Sequence, residues 1–394
     1  MSGPFPAVGT PTAAAGYAED RRAELRALIE ERILPLVDDA EEHERFPLEV
    51  PKLLGAAGFL AIGAPVEEGG SGGGRTAESM VVEELTRAAA GITMSIMPFF
   101  IVRVALWEFG TTRAREEVGL PMLRGERIVG ISITEPDAGS DAGSLTTTAT
   151  PDGDGFRLTG SKIFTTNGTI ATDLLVAARV AGPSAVDGFS GIGLFLLDTD
   201  QPGFQAHKLR KESCRSSDTA AVHLDGCHVP AHRVVGDAVG GFQRAMHVLN
   251  GERIISISRA LVLGESSWED AVAHVNVREQ FGTPVGAFQQ VQAPLAKAAT
   301  DLWLIRTALR EVCRLWDAGE DAAAQIAMLK AFSAERSLAI TRDCQHVMGA
   351  RGLHRLSRVA RNARDARLGP VGAGSVQVMR RILARHIGLP KAVE

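Results

Sequence analysis

The chain has 394 residues, more than one hydrophobic core usually supports, so we expect two or three packed units. Hydrophobic residues make up 45% and charged residues 23%, and the net charge of -5 argues against bulk nucleic-acid binding. The four cysteines form no C-x-x-C pair, which argues against a zinc site or a disulfide framework. The sequence contains neither an uninterrupted apolar stretch of about 18 residues nor a signal-peptide pattern, so we expect a cytoplasmic protein without a membrane span.

The first third of the chain has a helical pattern. Residues 1–17 are rich in Ala, Gly and Pro and are predicted to form a loose tail. Apolar residues then recur at i, i+3, i+4 and i+7 spacing from Leu25 to Leu36, which predicts an amphipathic helix. A second helix is expected around Leu48–Ala57, and helical texture resumes at Thr76 after a glycine-rich run. Residues 18–127 are therefore predicted to be a helical domain.

The middle of the chain has the texture of a β domain. Short apolar runs such as Leu174–Val180 and Gly193–Leu197 alternate with turn sequences, which predicts strands over residues 128–241. The helical period returns in residues 242–394 and continues to the end. Because helices and strands occur in separate blocks, the pattern predicts an α+β fold rather than an alternating, doubly wound sheet.

Two segments of the β domain break into loops rich in Gly, Ser and Thr. They are Ile131–Ala149, ISITEPDAGSDAGSLTTTA, and Leu158–Gly168, LTGSKIFTTNG. Such loops present backbone N–H groups and hydroxyls that can hold a phosphate or an electron-rich ring. No P-loop, H-E-x-x-H or G-x-G-x-x-G after a strand accompanies them, so a dinucleotide would not be held by a Rossmann fingerprint.

These two segments closely resemble the motifs T-E-P-x-A-G-S-D and K-x-[WF]-x-T-N-G of the acyl-CoA dehydrogenase family, in the same order. The resemblance implies an N-terminal α-helical domain, a middle β domain and a C-terminal four-helix bundle, with FAD bound noncovalently. It implies that Ile133, Thr134, Gly139 and Ser140 line the flavin. It further implies that Phe164 and Thr166 close over the flavin ring.

Another resemblance concerns the stretch from Arg278 to Gln289, which is similar to the family's R-x-x-F-G-x-x-x-x-x-x-Q signature. In the family, residues matching Arg278, Phe281 and Gln289 meet the FAD of a neighbouring subunit, so a homodimer or homotetramer is implied. An arginine can pair with phosphate oxygens bidentately. A solvated helix end would carry the same residue types.

Four further cofactor-binding positions are implied by the resemblance. His346 and Ala350 fall on the family's Q-x-x-G-G-x-G element, where they replace Gln and Gly. Ser375 and Gln377 match the Thr and Gln that come after the usual catalytic glutamate. The two replacements put the contacts to the adenosine diphosphate in doubt.

The catalytic base is the main departure from the family pattern. Many members carry a glutamate in a C-terminal Y-E-G-T element, but here that position is Ala373, in Val371-Gly-Ala-Gly-Ser375. The isovaleryl-CoA dehydrogenase branch also has G-A-G-T and takes its base from an earlier L-D-x-E-R motif, which resembles Leu249-Asn-Gly-Glu-Arg253. The resemblance thus implies Glu252 as the base, with Arg253, Gly372 and Ala373 at the substrate. Alone, a Glu beside an Arg near a helix start would be a surface capping or ion-pairing residue.

The implied chemistry is FAD-dependent α,β-dehydrogenation of a short or branched acyl thioester on CoA or on a carrier protein. A base removes the α-proton, hydrogen-bond donors hold the thioester oxygen, and the β-hydride passes to flavin N5. An electron-transfer flavoprotein is a possible partner. Three alternatives stay open: a dehydrogenase or oxidase of carrier-bound aminoacyl groups such as prolyl, a flavin-dependent monooxygenase, and a binding protein without flavin. The arginines of residues 351–367 indicate a solvated face or a docking surface for an acidic partner.

Overall fold

The computed structural model describes residues 13–182, 188–239 and 241–390, and its elements follow the predicted order of helices, strands and helices. Residues 13–17, which the sequence assigned to a loose tail, are helical instead, while residues 1–12 lie outside the described part. A π-helical turn over Ile29–Ile33 joins the first two helices. The N-terminal helices are α1 (Ala13–Leu28), α2 (Leu34–Glu42), α3 (Glu49–Ala56), α4 (Gly74–Ala88), α5 (Ala90–Phe109), α6 (Thr112–Ala114) and α7 (Leu120–Leu123).

Helices α4 and α5 are the centre of the N-terminal block. Only Ala89 separates them, and its extended backbone (φ −162°) ends the first helix. In the described part of the chain, α5 is the one helix long and apolar enough to cross a bilayer, but 89% of its most apolar window is buried. Since an all-round apolar helix is also what a protein core requires, α5 is a core helix here.

In the described middle block, seven strands form one mixed sheet with the spatial order β1-β4-β2-β3-β7-β6, in which β5 pairs with β4 and β1 also meets β3. Strands β4 and β5 are buried along nearly their whole length, which explains their continuous apolar runs. The predicted strands at Leu174–Val180 and Gly193–Leu197 are confirmed. The bounds are β1 (Val129–Ser132), β2 (Thr148–Asp152), β3 (Gly155–Thr166), β4 (Asp173–Val180), β5 (Ile192–Asp198), β6 (Phe204–Lys208) and β7 (Thr219–Pro230).

The C-terminal block contains four long helices and a short hairpin. Its longest helix, α8, has 37 residues and is therefore roughly 55 Å long. It packs on α9 and α10, and α13 packs on α10. The elements are α8 (Gly241–Val277), β8 (Glu279–Gln280), β9 (Thr283–Pro284), α9 (Gln289–Asp317), α10 (Ala323–Val347), α11 (Ala350–Leu353), α12 (Arg358–Asp365) and α13 (Val376–His386).

Paired polar groups join the two helical blocks. The hydroxyls of Ser79 on α4 and Ser258 on α8 lie 2.6 Å apart. Arg306 on α9 lies 2.6 Å from Glu265 on α8 and 3.3 Å from Glu83 on α4, and both carboxylates are buried. Buried charges are tolerated when they are paired and hydrogen-bonded, so this network fixes the position of α8 against the N-terminal block.

A buried ion pair connects the two predicted motifs of the β domain. Lys162 Nζ lies 2.8 Å from Glu135 Oε1 and donates to the carbonyl of Ile133 at 3.0 Å. Glu135 also accepts the backbone N–H groups of Thr146 at 2.6 Å and Thr147 at 2.8 Å. One carboxylate therefore closes the loop between β1 and β2 and attaches it to β3.

We expect Glu135→Gln to destabilise the protein, because the substitution leaves Lys162 buried without its counter-charge. Breaking a buried pair in this way costs about 3–5 kcal/mol. The shift of the unfolding midpoint in urea measures the loss. Lys162→Met in the Glu135→Gln background should recover part of it, since no buried charge remains unpaired. If the two substitutions instead have additive effects, the pair does not act as a unit.

Candidate active site

The two β-domain motifs lie side by side. Ile131 on β1 pairs with Thr166 on β3, and the carbonyl of Thr134 accepts the N–H of Ile163 at 2.9 Å. Ile133 and Thr134 are half-buried just after β1, while Gly139 and Ser140 are exposed in the loop that Glu135 closes. The residues that were predicted to line the flavin therefore converge at one end of the sheet.

Phe164 is the most unusual residue of this surface. Its φ is +57°, which is strained for an aromatic residue, and its side chain is 65% exposed. It lies where the register of β3 against β7 shifts between Lys162 and Thr165, so a bulge turns the ring outward. Strain of this kind is typical of positions that a function requires.

Asn167, in the second motif, connects the β domain to helix α5, a contact that the sequence did not predict. It has a φ of +63° and is fully buried. Its side-chain amide donates to the carbonyls of Ser95 on α5 and Val129 on β1, each at 2.8 Å. Because asparagine tolerates the left-handed region, the T-N-G sequence itself was the signal for this turn.

Glu252 lies inside α8, which begins at Gly241, and not near a helix start. It is half-buried, and burial raises the pKa of its carboxyl. Arg253 and Lys330 oppose that rise in pKa through their charges, but no hydrogen bond contributes to it. Within the described chain, the carboxylate has no ion-pair partner within 4.0 Å.

The neighbouring Arg253 directs its hydrogen bonds elsewhere. Its Nη1 donates to Asn250 Oδ1 at 2.5 Å, and its Nε donates to the carbonyl of Ala373 at 3.4 Å. Arg253 thus connects the helix that carries Glu252 to the loop that carries Gly372 and Ala373. The expected alternative, a surface Glu–Arg ion pair, does not describe this site.

The loop that Arg253 contacts has an irregular backbone. Ala373 has a φ of +55° and Gly374 a φ of +85°, and both are half-buried. The N–H groups of Gly372 and Val376 are bonded to carbonyls of the same segment. The N–H of Ala373 has no acceptor among the described residues, so it is free to donate to a ligand.

The remaining predicted cofactor residues lie apart from this centre. Arg278 directly follows α8, so it lies roughly 38 Å along the helix from Glu252. Phe281, at the tip of the β8–β9 hairpin, is 94% exposed, and Gln289 begins α9 at the surface. A single chain cannot bring these residues to its own Glu252.

The C-terminal positions have mixed surroundings. His346 and Ala350 are exposed at the end of α10 and the start of α11. Ser375 caps α13, where its hydroxyl accepts the N–H of Val378 at 3.2 Å, and Gln377 is exposed in the first turn. Ser375 therefore has a structural role whatever else it binds.

The arginines of residues 351–367 are mostly used within the chain. Arg358 pairs with Asp270 at 2.5 Å, and Arg361 donates to the carbonyl of Ala88 at 2.5 Å. Arg355 pairs with Glu42, and Arg364 with Glu41 and Asp365. Because these charges are already paired, the segment fastens α12 and its flanks to their neighbours, and the docking surface for an acidic partner loses its support.

The residues present fit a flavin. Phe164 offers an exposed aromatic face, which suits a planar ring. The hydroxyls of Thr134, Ser140 and Thr166 make no hydrogen bond to another described residue, so they are available to a ligand. A Cβ at Gly139 would meet no atom within 4 Å, which leaves open space beside the loop.

Comparison with known proteins gives one answer over the whole chain. Sequence models of the N-terminal, middle and C-terminal domains of acyl-CoA dehydrogenase match residues 18–126, 130–227 and 240–388. An isobutyryl-CoA dehydrogenase of Dictyostelium discoideum is 33% identical over 96% of this chain and 91% of its own. A 3-(aryl)acrylate reductase of Clostridium sporogenes is 31% identical over 92% of this chain and 96% of its own.

Solved structures agree with the sequence matches. The butyryl-CoA dehydrogenase of Megasphaera elsdenii superposes with a TM-score of 0.90 at 26% identity, covering 97% of this chain and 100% of its own. The chain therefore belongs to the acyl-CoA dehydrogenase family and is an FAD-dependent oxidoreductase that acts on CH–CH bonds.

Proposed function

We propose that the chain desaturates a short or branched acyl-CoA and that Glu252 is the base that removes the α-proton. The observation that carries this proposal is the half-buried carboxylate of Glu252, which has no ion-pair partner among the described residues and is adjacent in sequence to Arg253, which contacts the loop of Ala373. A base needs a free lone pair and a pKa near the working pH. The absence of an ion-pair partner among the described residues leaves the lone pairs of Glu252 free, and burial raises the pKa of its carboxyl.

The residues around Glu252 have separate tasks in this proposal. The free N–H of Ala373 donates to the thioester oxygen and thereby acidifies the α-proton. Arg253 holds the loop in place through the Ala373 carbonyl. When bound, FAD supplies the acceptor for the hydride of the β-carbon. Phe164, Thr134 and Thr166 would hold its ring at the end of the sheet.

The substrate class rests on the named relatives. The isobutyryl-CoA and butyryl-CoA dehydrogenases, to which the chain is similar, are named for a branched and a short acyl group. A carrier-bound aminoacyl substrate gains no support from the described residues. The monooxygenase alternative was motivated by the missing base at Ala373, and Glu252 removes that motive.

Glu252→Gln should abolish anaerobic reduction of the bound FAD by butyryl-CoA or isobutyryl-CoA. Glutamine is nearly isosteric but cannot accept the proton, so we expect the rate to fall by a factor on the order of 10² or more. Rapid-mixing absorbance at the flavin band measures the rate. Glu30→Gln, at an exposed position of the N-terminal block, is the matched control and should react like the wild type. Equal bleaching of the two variants would mean that the base lies elsewhere.

The pH dependence of reduction should report the state of Glu252. Burial raises the pKa of its carboxyl above the ordinary value, and only the ionised form accepts a proton. The rate of reduction should therefore be full above the raised pKa and should fall as pH decreases through it. We expect the midpoint of this acid limb to lie above the pKa of about 4.3 for an ordinary glutamate. A rate that stays constant down to that pH would contradict the assignment.

We further propose that the FAD site is shared between subunits, because Arg278 lies too far along α8 to serve its own chain. Co-expression of a Glu252→Gln chain with an Arg278→Ala chain tests this arrangement. In a shared site, random pairing into dimers restores both residues in about a quarter of the sites. Activity should therefore reappear in the mixture although each variant alone is inactive.

A mixture that stays inactive would show that each chain completes its own site. Arg310→Ala is the matched control, since Arg310 is exposed on the neighbouring α9. It should retain activity alone and in mixtures. A cytoplasmic location and an electron-transfer flavoprotein as acceptor stay predictions.

A further inference from the structure

Lys330 on α10 is a buried cation close to the proposed base, and its inferred role rests on the proposed role of Glu252. The residue is 1% exposed. Burying an ammonium group is costly unless its donors are bonded, so its partners indicate its task. Its two acceptors among the described residues belong to the loop that carries Ala373.

Lys330 holds the two ends of that loop. Its Nζ donates to the carbonyl of Gly369 at 3.0 Å and to the carbonyl of Gly374 at 2.5 Å. Between these points the carbonyl of Ala373 accepts from Arg253 at 3.4 Å. Two cations therefore bind three carbonyls of the loop, and the N–H of Ala373 has no acceptor among the described residues.

The same cation also acts on the charge of Glu252. The charged groups that act on this carboxylate are Arg253 on α8 and Lys330 on α10, and both lower its pKa against the effect of burial. Arg259, nearly two turns further along α8, is buried and adds positive charge near Lys330. Among the described residues no second carboxylate contributes, so the region around the base carries an excess of positive charge.

We propose that Lys330 is a positioning residue for the dehydrogenation: it fixes the loop so that the Ala373 N–H meets the thioester oxygen, and its positive charge favours the ionised form of Glu252. It touches neither substrate nor cofactor in this role. A purely structural lysine would stabilise the loop without changing the ionisation of Glu252. The two roles are therefore separable by experiment.

The test compares Lys330→Met and Lys330→Arg in the FAD-loaded enzyme with butyryl-CoA. Without the cation the pKa of Glu252 should rise, so the acid limb of flavin reduction should move to higher pH by about one unit. The rate at the plateau should fall by about tenfold or more, because the oxyanion donor is no longer held. Binding of the product crotonyl-CoA, followed by the flavin spectrum, should weaken as well.

The arginine variant gives the opposite signature. Arginine stays charged and keeps donors for the two loop carbonyls, so Lys330→Arg should leave the acid limb in place. Should the methionine variant fail to fold, the arginine variant alone decides. An acid limb that moves to higher pH in Lys330→Arg, as in Lys330→Met, would overturn the proposal.

Lys297→Met is the matched control, since Lys297 is exposed on α9 and pairs with Asp301 at 2.7 Å. It should leave the acid limb unchanged. If Lys330→Met lowers thermal stability while the acid limb stays in place, Lys330 is structural; the proposal for Lys330 then fails, and the proposal for Glu252 is unaffected. If flavin reduction is normal in Glu252→Gln, the proposed role of Glu252 itself fails. The two failures are therefore distinguishable.

Discussion

A half-buried carboxylate without an ion-pair partner among the described residues is the constraint on which the C-terminal half of this protein depends. Burial disfavours the ionised form of such a group, and proteins usually compensate for this cost with an ion pair. Here Arg253 is adjacent to Glu252 in sequence but donates to Asn250 and Ala373 instead. The positive charge is thus near enough to act on the pKa of Glu252, while its lone pairs stay free for a proton.

In the β domain, by contrast, a buried carboxylate is directly paired with a lysine. Glu135 and Lys162 are both buried and directly paired, and hydrogen bonds lower the pKa of Glu135 to about 2 against the effect of burial. A carboxylate bound by a lysine and two backbone N–H groups cannot serve as a base near neutral pH. The same residue type is therefore structural in one motif and chemical in the other, and the difference lies in its hydrogen bonds.

Much of the fold could be predicted from the sequence, because block-wise periodicity and two contiguous motifs record local requirements. The two strands around Leu174–Val180 and Gly193–Leu197, the long C-terminal helices and the convergence of Thr134 with Thr166 depend on such signals. Glu135 and Asn167 lie inside the two β-domain motifs, but their structural roles could not be predicted from the motifs. Their hydrogen-bond partners come from other elements. No sequence motif pointed to Lys330. Its acceptors are backbone carbonyls about 40 residues away, and any residue type supplies such a carbonyl.

The most direct test of the role of Glu252 is a crystal structure of the Glu252→Gln variant with FAD and isobutyryl-CoA bound. We expect the side chain at position 252 to lie within about 3.5 Å of the substrate α-carbon, with the Ala373 N–H on the thioester oxygen. A side chain at 252 that points away, with another carboxylate over the α-carbon, would contradict the assignment of the base.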